Sequence, residues 1–223
     1  MISVALVYPE LLGTYGDGGN ALALQHRARL RGIDLLVTPV RHSEPLPDAQ
    51  LFIIGGCEDG PQRLATDELR RAGLAERVAD GAHVLAVCAG LQILGKSFAV
   101  AGDTSYDGLG LVDAVTVRGS ERRVGDIVTR VGNRMLVGFE NHGGETRLGD
   151  VAPLGLVSKG FGNDGRTDGF VSGRIRATYL HGPVLAQNPW WCDEILVDLV
   201  GHELEPVVSV ADALYTARCA ALG

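Results

Sequence analysis

His83-Val84-Leu85-Ala86-Val87-Cys88-Ala89-Gly90-Leu91-Gln92-Ile93-Leu94-Gly95 is the stretch that decides how this chain folds. Its first half is an apolar run of the kind that forms a strand buried on both faces, and it ends on one cysteine. A small residue and a glycine follow, and then a pattern that predicts a helix. A cysteine at so tight a strand-to-helix turn is held out of the sheet, with backbone N–H groups and a helix N-terminus beneath it. That setting favours the thiolate and supplies donors for an oxyanion. The spacing Cys-x-Gly-x-Gln is more demanding than a lone cysteine, whose bland reading is a buried residue at a strand end.

The same residues carry a decoy. Gly90 to Ser97 matches the phosphate-loop pattern G-x-x-x-x-G-K-[ST] and follows a strand, as that motif should. A phosphate cradle needs small residues so that backbone N–H groups can converge on oxygen. Leu91, Ile93 and Leu94 would be stranded around a charged ligand, whereas in a helix they pack inward. Nor does a second strand end in a magnesium-binding Asp, because Leu51-Phe52-Ile53-Ile54 runs into Gly55-Gly56. The nucleotide reading is rejected, and Lys96-Ser97 is expected to be the tail of a packed helix.

Upstream, residues 2–8 read as a buried strand, followed by the glycine-rich loop 9–20, in which Asn20 caps a helix carrying Leu22, Leu24, Ala28 and Leu30. Residues 35–40 and 51–54 read as strands, and residues 62–80 as one charged helix stopped by Gly81. Gly55-Gly56 falls at the carboxyl end of a strand, where an open sheet places its ligands. This β-α-β-β-α-β-α series implies an α/β fold, with a mostly parallel sheet and helices on both faces. Beyond Gly95, short β-type runs at 114–117, 126–131, 135–139, 154–158 and 175–179 suggest an antiparallel extension of that sheet. Asn188-Pro189 opens a helix, and Ser209 with Asp212 forms a capping box for the last one. With no linker or repeat, residues 1–223 are read as one domain.

Composition narrows the partners. The 223 residues are 46% apolar with a formal net charge of −7, and no cluster of Lys and Arg forms a basic face, which argues against nucleic acid. No stretch approaches the length of a membrane span and no basic leader precedes the first strand, so a soluble, cytoplasmic protein is expected, without membrane insertion. Cys57, Cys88, Cys192 and Cys219 form no C-x-x-C pair, so neither a metal site nor a disulfide framework is suggested.

A cysteine nucleophile needs a base, and six histidines compete. His26, His42, His83 and His202 sit in a helix, a polar loop, a strand start and a helix end, and read as exposed or structural. His181 follows the strand-like run Arg176-Ala177-Thr178-Tyr179-Leu180 and precedes Gly182-Pro183, so it sits at a strand end facing across to Cys88. His142, within Gly138-Phe139-Glu140-Asn141-His142-Gly143-Gly144, suits substrate holding better.

In this order, Gly55-Gly56 after a strand, Cys88-Ala89-Gly90-Leu91-Gln92 and Tyr179-Leu180-His181-Gly182 resemble a class I, triad-type glutamine amidotransferase. Tyr15-Gly16-Asp17-Gly18-Gly19-Asn20, the cluster 138–144 and Tyr179-Leu180-His181-Gly182-Pro183 narrow the resemblance to the GatD family, glutaminase subunits of bacterial lipid II isoglutaminyl synthase. The resemblance runs from about residue 8 to beyond residue 188. It implies a flavodoxin-like fold, with Cys88 as nucleophile, His181 as base and the N–H groups of Gly56 and Ala89 as oxyanion donors. It further implies that Gln92, Asn141, His142 and Arg122 or Arg123 hold L-glutamine. The family works with a Mur-ligase-like synthetase in a heterodimer. ATP and Mg would bind that partner and no cofactor this chain, and lipid II would be reached through the partner. A cobyric-acid-type amidotransferase domain and an inactive partner-binding scaffold are the alternatives.

Two departures stand out. The class usually carries an acidic residue two positions after the histidine, and here Pro183 stands there. The orienting carboxylate is therefore missing, comes from elsewhere in the chain, or is supplied by a partner, as the resemblance favours. Cys57 also replaces a third glycine after Gly55-Gly56, and is read as a bystander.

Overall fold

The computed structural model of the chain describes residues 1–100 and 104–222. In chain order it begins with β1 (Ile2–Val7), α1 (Pro9–Leu12), α2 (Gly18–Arg29), β2 (Leu35–Val40), β3 (Leu51–Ile54), α3 (Asp59–Arg71), α4 (Leu74–Ala79), β4 (His83–Val87) and α5 (Ala89–Leu94). There follow β5 (Ser97–Val100), β6 (Thr104–Asp107), β7 (Ala114–Val131), β8 (Arg134–Leu148), β9 (Gly155–Lys159), β10 (Thr167–Asp168), β11 (Phe170–Ser172) and β12 (Ile175–Thr178). The chain closes with α6 (Val184–Gln187), α7 (Pro189–Val200) and α8 (Val210–Leu222).

Among the described residues the strands form two sheets. The first has the order β11-β12-β4-β3-β1-β2, parallel except for β11. Its central strands β3 and, after His83, β4 are apolar because helices cover both faces, and Phe52, Ile53, Ile54, Val84 and Leu85 are at most 1% exposed. Parallel pairing brings the carboxyl ends of β3, β4 and β12 to one edge, so the residues that follow them meet there.

The expected antiparallel extension is a second sheet, of order β10-β9-β7-β5-β6 with β8 paired to β7. Two isolated bridges join its region to the first: His181 N–H donates to Phe139 O at 2.7 Å and Phe139 N–H to His181 O at 3.3 Å, and Val171 N–H donates to Ala152 O at 3.0 Å. The separate runs read at 114–117 and 126–131 are parts of one long strand, β7. Its pairing with β8 carries it through polar and glycine residues that local preference would break, with a register shift between Arg118 and Arg123.

Two further expectations are corrected. The helix read over 62–80 is α3 and α4, divided at Gly73, whose φ of 74° lies in the left-handed region that ends helices. Lys96-Ser97 is not a helix tail: α5 stops at Leu94, Lys96 N–H donates to Ala114 O at 2.7 Å, and Ser97 opens β5. The Lys96 ammonium lies 2.6 Å from Asp113. Leu91, Ile93 and Leu94 are fully buried, so the phosphate-loop pattern forms no cradle. Among the described residues no helix is long and apolar enough to cross a membrane.

The last helix is held by polar contacts. No residue of α8 is buried. The Ser209 capping box forms as expected, with Ser209 N–H donating to Asp212 Oδ2 at 2.8 Å. Asp212 also pairs with Arg27, which is 3% exposed and forks onto Asp193 at 2.5 and 2.6 Å. Farther along α8, Tyr215 donates to Met135 O at 2.8 Å and Arg218 pairs with Asp126 at 3.0 Å. Removing one partner of a buried charge network leaves its other members uncompensated, so Arg27→Met is expected to destabilise the fold by about 3 kcal/mol. Denaturant unfolding measures that loss, and hydrogen exchange across 210–222 rises as α8 loosens.

Candidate active site

Cys88 sits where β4 becomes α5, with φ 53° and ψ −107°, a conformation that a residue with a side chain adopts only when its surroundings enforce it. They do so by close packing. Gly90 brings α5 against β3, since a Cβ there would lie 2.5 Å from Ile54 O. Cys88 N–H donates to Thr178 O at 2.9 Å, locking the elbow to β12. The side chain is thereby presented to a cleft of about 390 Å³ lined by Tyr15, Cys57, Glu58, Gln62, Ala89, Gln92, Arg122, Asn141, His142 and their neighbours. The amide of Ala89, at the first position of α5, has no partner within the helix.

His181 follows β12 and is 2% exposed. Tyr15 packs on its ring, with centroids 4.7 Å apart. Burial alone pulls an imidazole pKa down, but the closeness of Asp17 and Cys88 and their charges outweighs it and raises His181 to about 10. The space between this ring and Cys88 exists because residue 56 is glycine: a Cβ there would stand 2.6 Å from His181 Cε1 and 3.3 Å from Cys88 Cβ.

A carboxylate of this chain stands behind the histidine. Asp17, from the glycine-rich loop after β1, is 1% exposed, and its Oδ1 lies 3.5 Å from His181 Nδ1. Its Oδ2 accepts Gly56 N–H at 2.7 Å. The Gly56 amide, expected to face an oxyanion, is therefore committed to Asp17. Its neighbour Cys57 lines the cleft, and burial with the nearby Cys88, Glu58 and Asp59 pushes the Cys57 thiol up to about 12. Sequence reasoning missed Asp17 as a member of the site. Its signal was an acid inside Tyr15-Gly16-Asp17-Gly18, a loop too glycine-rich for an ordinary turn.

The expected substrate-holding residues divide. Arg122 lies within the register shift of β7, half-exposed at the cleft, donating to Asn141 Oδ1 at 2.7 Å and to Tyr15 OH at 3.1 Å. Arg123 points elsewhere, its guanidinium 3.9 Å from the centre of the Phe161 ring. Gln92 lines the cleft, yet its amide accepts from Gln62 at 2.9 Å and donates to Tyr179 OH at 3.1 Å. His142 borders the cleft but is 3% exposed, bonded to Gly144 O at 2.9 Å and Glu140 at 3.2 Å and stacked on Tyr179. Gln92 and His142 thus form the cleft's wall as much as its contact surface. Among the described residues no group of three or more His, Cys, Asp or Glu side chains is placed to hold a metal ion.

A strained cysteine elbow in a parallel sheet, with a histidine at the end of the adjacent strand, defines a class I glutamine amidotransferase. A solved glutamine amidotransferase superposes with a TM-score of 0.61 over 89% of this chain and 98% of its own, at 21% identity. The chain belongs to the family of CobB/CobQ-like glutamine amidotransferase domains, whose profile matches residues 3–189, and within it to the GatD group. It is 39% identical over 186 residues to the GatD subunit of the glutamine-hydrolysing lipid II isoglutaminyl synthase of Staphylococcus aureus, covering 80% of this chain and 76% of that one. The GatD subunit of Streptococcus pneumoniae is 32% identical over 84% of this chain and 76% of its own.

Gly56→Ala forces its methyl group between His181 and Cys88, and a displacement on the ångström scale costs about 100-fold in turnover. Glutamine hydrolysis is expected to fall by that factor while the melting temperature shifts by only a few degrees. The proton on His181 also links stability to pH. A pKa of about 10 in the folded chain, against about 6.5 when unfolded, gives a contribution fully present below pH 6.5 and lost as pH rises through 10. The urea midpoint is expected to fall across that window in the wild type and to fall less in His181→Gln.

Proposed function

We propose that this chain is the glutamine-hydrolysing subunit of an enzyme that amidates the D-glutamate of the lipid II stem peptide. The observation that carries the chemical part is the buried Cys88–His181 pair at the mouth of a polar cleft. The acceptor reading rests on the GatD relatives, which match over most of their length and most of this chain. That mutual coverage favours a separate subunit over one domain of a cobyric-acid-type enzyme.

In this mechanism Cys88 Sγ attacks the side-chain carboxamide carbon of L-glutamine. His181 takes the thiol proton and later delivers it to the departing ammonia. The oxyanion is met by Ala89 N–H at the start of α5. Water then attacks the thioester, with His181 again accepting a proton, and glutamate leaves. Arg122, joined to Asn141 and Tyr15, offers the cationic group at the cleft suited to the substrate's α-carboxylate. Its mate Glu58, which accepts from Tyr15 OH at 2.5 Å and lies 3.8 Å from Arg122, places an anion where the α-ammonium needs one.

Hydrolysis alone leaves ammonia without an activated carboxyl. The activation belongs to a Mur-ligase-like synthetase partner holding ATP and Mg, in the cytoplasm where both are abundant. That partner phosphorylates the α-carboxyl of D-glutamate, and ammonia released here converts it to D-isoglutamine.

Glutamate release from glutamine tests this reading, with the purified chain alone and with the synthetase, for wild type and Cys88→Ala. Wild type with partner is expected to exceed Cys88→Ala by at least about 1,000-fold, the scale on which loss of a nucleophile acts. Equal rates would remove the enzyme reading.

A further inference from the structure

We propose that Asp17 is the positioning acid of this site, holding the His181 ring toward Cys88 from within the same chain. The proposal rests on the Cys–His reading above and supplies the group that Pro183 leaves out. The carboxylate and the imidazole are 1% and 2% exposed, so water screens neither. Asp17 Oδ1 and both ring nitrogens of His181 are buried and lack a conventional hydrogen-bond partner. Three orphaned polar atoms in one place are costly unless they serve one another. A separation of 3.5 Å between Oδ1 and Nδ1 closes to a hydrogen bond by a slight tilt of the ring, as resting catalytic contacts do when substrate binds. Nδ1–H donating to Asp17 holds the ring so that Nε2 carries the proton taken from the Cys88 thiol.

The neighbouring acids are spent elsewhere. Glu140 accepts from Phe161 N–H and Gly162 N–H at 2.9 Å and faces His142, while Glu58 accepts from Tyr15. Asp168, fully buried and raised by that burial to about 6, accepts from Thr178 Oγ1 at 2.6 Å and Tyr179 N–H at 3.0 Å. Asp17 is itself firmly placed and keeps one oxygen uncommitted. Its Oδ2 is pinned by Gly56 N–H, and a Cβ on Gly55 would stand 2.8 Å from Asp17 Cβ, so Gly55 makes room for the acid and Gly56 for the imidazole. The loop that carries it is stitched to the segment after His181: Leu185 N–H donates to Asn20 Oδ1 at 2.9 Å, and Pro183 packs on Gly19. The proline at the usual acid position thus braces the loop that delivers the acid from the other side.

Asp17→Asn keeps the volume and an oxygen for Gly56 N–H but turns an amide donor toward Nδ1, favouring the wrong tautomer. The deciding measurement is the rate of Cys88 alkylation by iodoacetamide near pH 7, read by mass spectrometry, with Cys219 in the same digest as reference. Melting temperatures are taken for every variant. Asp17→Asn is expected to slow Cys88 alkylation at least tenfold with Cys219 unchanged and the melting temperature still well above that of the assay. In a His181→Gln background the same substitution is expected to add nothing, because Asp17 acts through the histidine. An Asp17→Asn rate within twofold of wild type overturns the proposal, as does an effect that survives undiminished beside His181→Gln. If His181→Gln itself leaves Cys88 as reactive as in wild type, the Cys–His reading fails instead.

Discussion

The carboxylate of Asp17 is the point at which three distant parts of the chain are tied together. One oxygen takes the Gly56 amide at the end of β3, and the other faces His181 after β12, while the residue itself belongs to the loop after β1. A buried carboxylate is costly, and it persists only where fixed donors surround it. Those donors are available because Gly55 and Gly56 carry no side chains, as a Cβ on either would collide with Asp17 or His181. The glycine pair therefore does a different job from the one its position suggests. It clears volume for an acid and an imidazole, and the Gly56 N–H anchors the acid rather than an oxyanion.

The elbow at Cys88 depends on this arrangement from the opposite side. Its positive φ is held by the bond from Cys88 N–H to Thr178 O and by the contact of Gly90 with Ile54. Thr178 also donates to the buried Asp168, so the strand that fixes the elbow is itself fixed by β10 of the second sheet. Backbone strain of this kind survives because several rigid neighbours share it. The same edge gathers the helix N-terminus under Ala89, the guanidinium of Arg122 and the carboxylate of Glu58, which is why one small cleft holds both polarities a zwitterionic substrate needs.

Much of this was legible along the chain, because its signals are local. Strand β4 ending on Cys88, the glycines after β3 and the histidine after β12 each read within a few residues, and parallel pairing then brings them to one edge. What escaped reading was non-local. Asp17 reaches His181 across nearly the whole chain, and no spacing rule reports such a contact. The long hairpin of β7 and β8 was split in the reading because Gly119-Ser120-Glu121 and Asn141-His142-Gly143-Gly144 look like turns, whereas each strand's partner holds the other extended. Gly73 breaks the helix read over 62–80 through a left-handed φ that the charge pattern around it concealed. His142 looked like a substrate ligand for its polar neighbours, yet those neighbours are the ones that bury and bond it.

The dimensions of the cleft bear on how such a site can serve a large acceptor. A volume of about 390 Å³, walled by Gln92, His142 and the α5 elbow, suits one amino-acid amide and leaves no room for a lipid-linked peptide beside it. Cys88 is 5% exposed, so its sulfur meets only what enters that cleft. On the proposed function the acceptor carboxyl is then activated and attacked elsewhere, and the nitrogen travels as ammonia. On the far side of Tyr15 and His181 lies a second, more apolar groove of about 810 Å³, bordered by Phe139, Gln187 and the α8 residues Leu214 and Tyr215. The covering tyrosine, which borders both, thus forms the wall between a polar chamber and an apolar groove, and the histidine faces the groove. Separation of hydrolysis from amidation follows from that wall and from the small chamber behind it, whatever chemistry the acceptor brings.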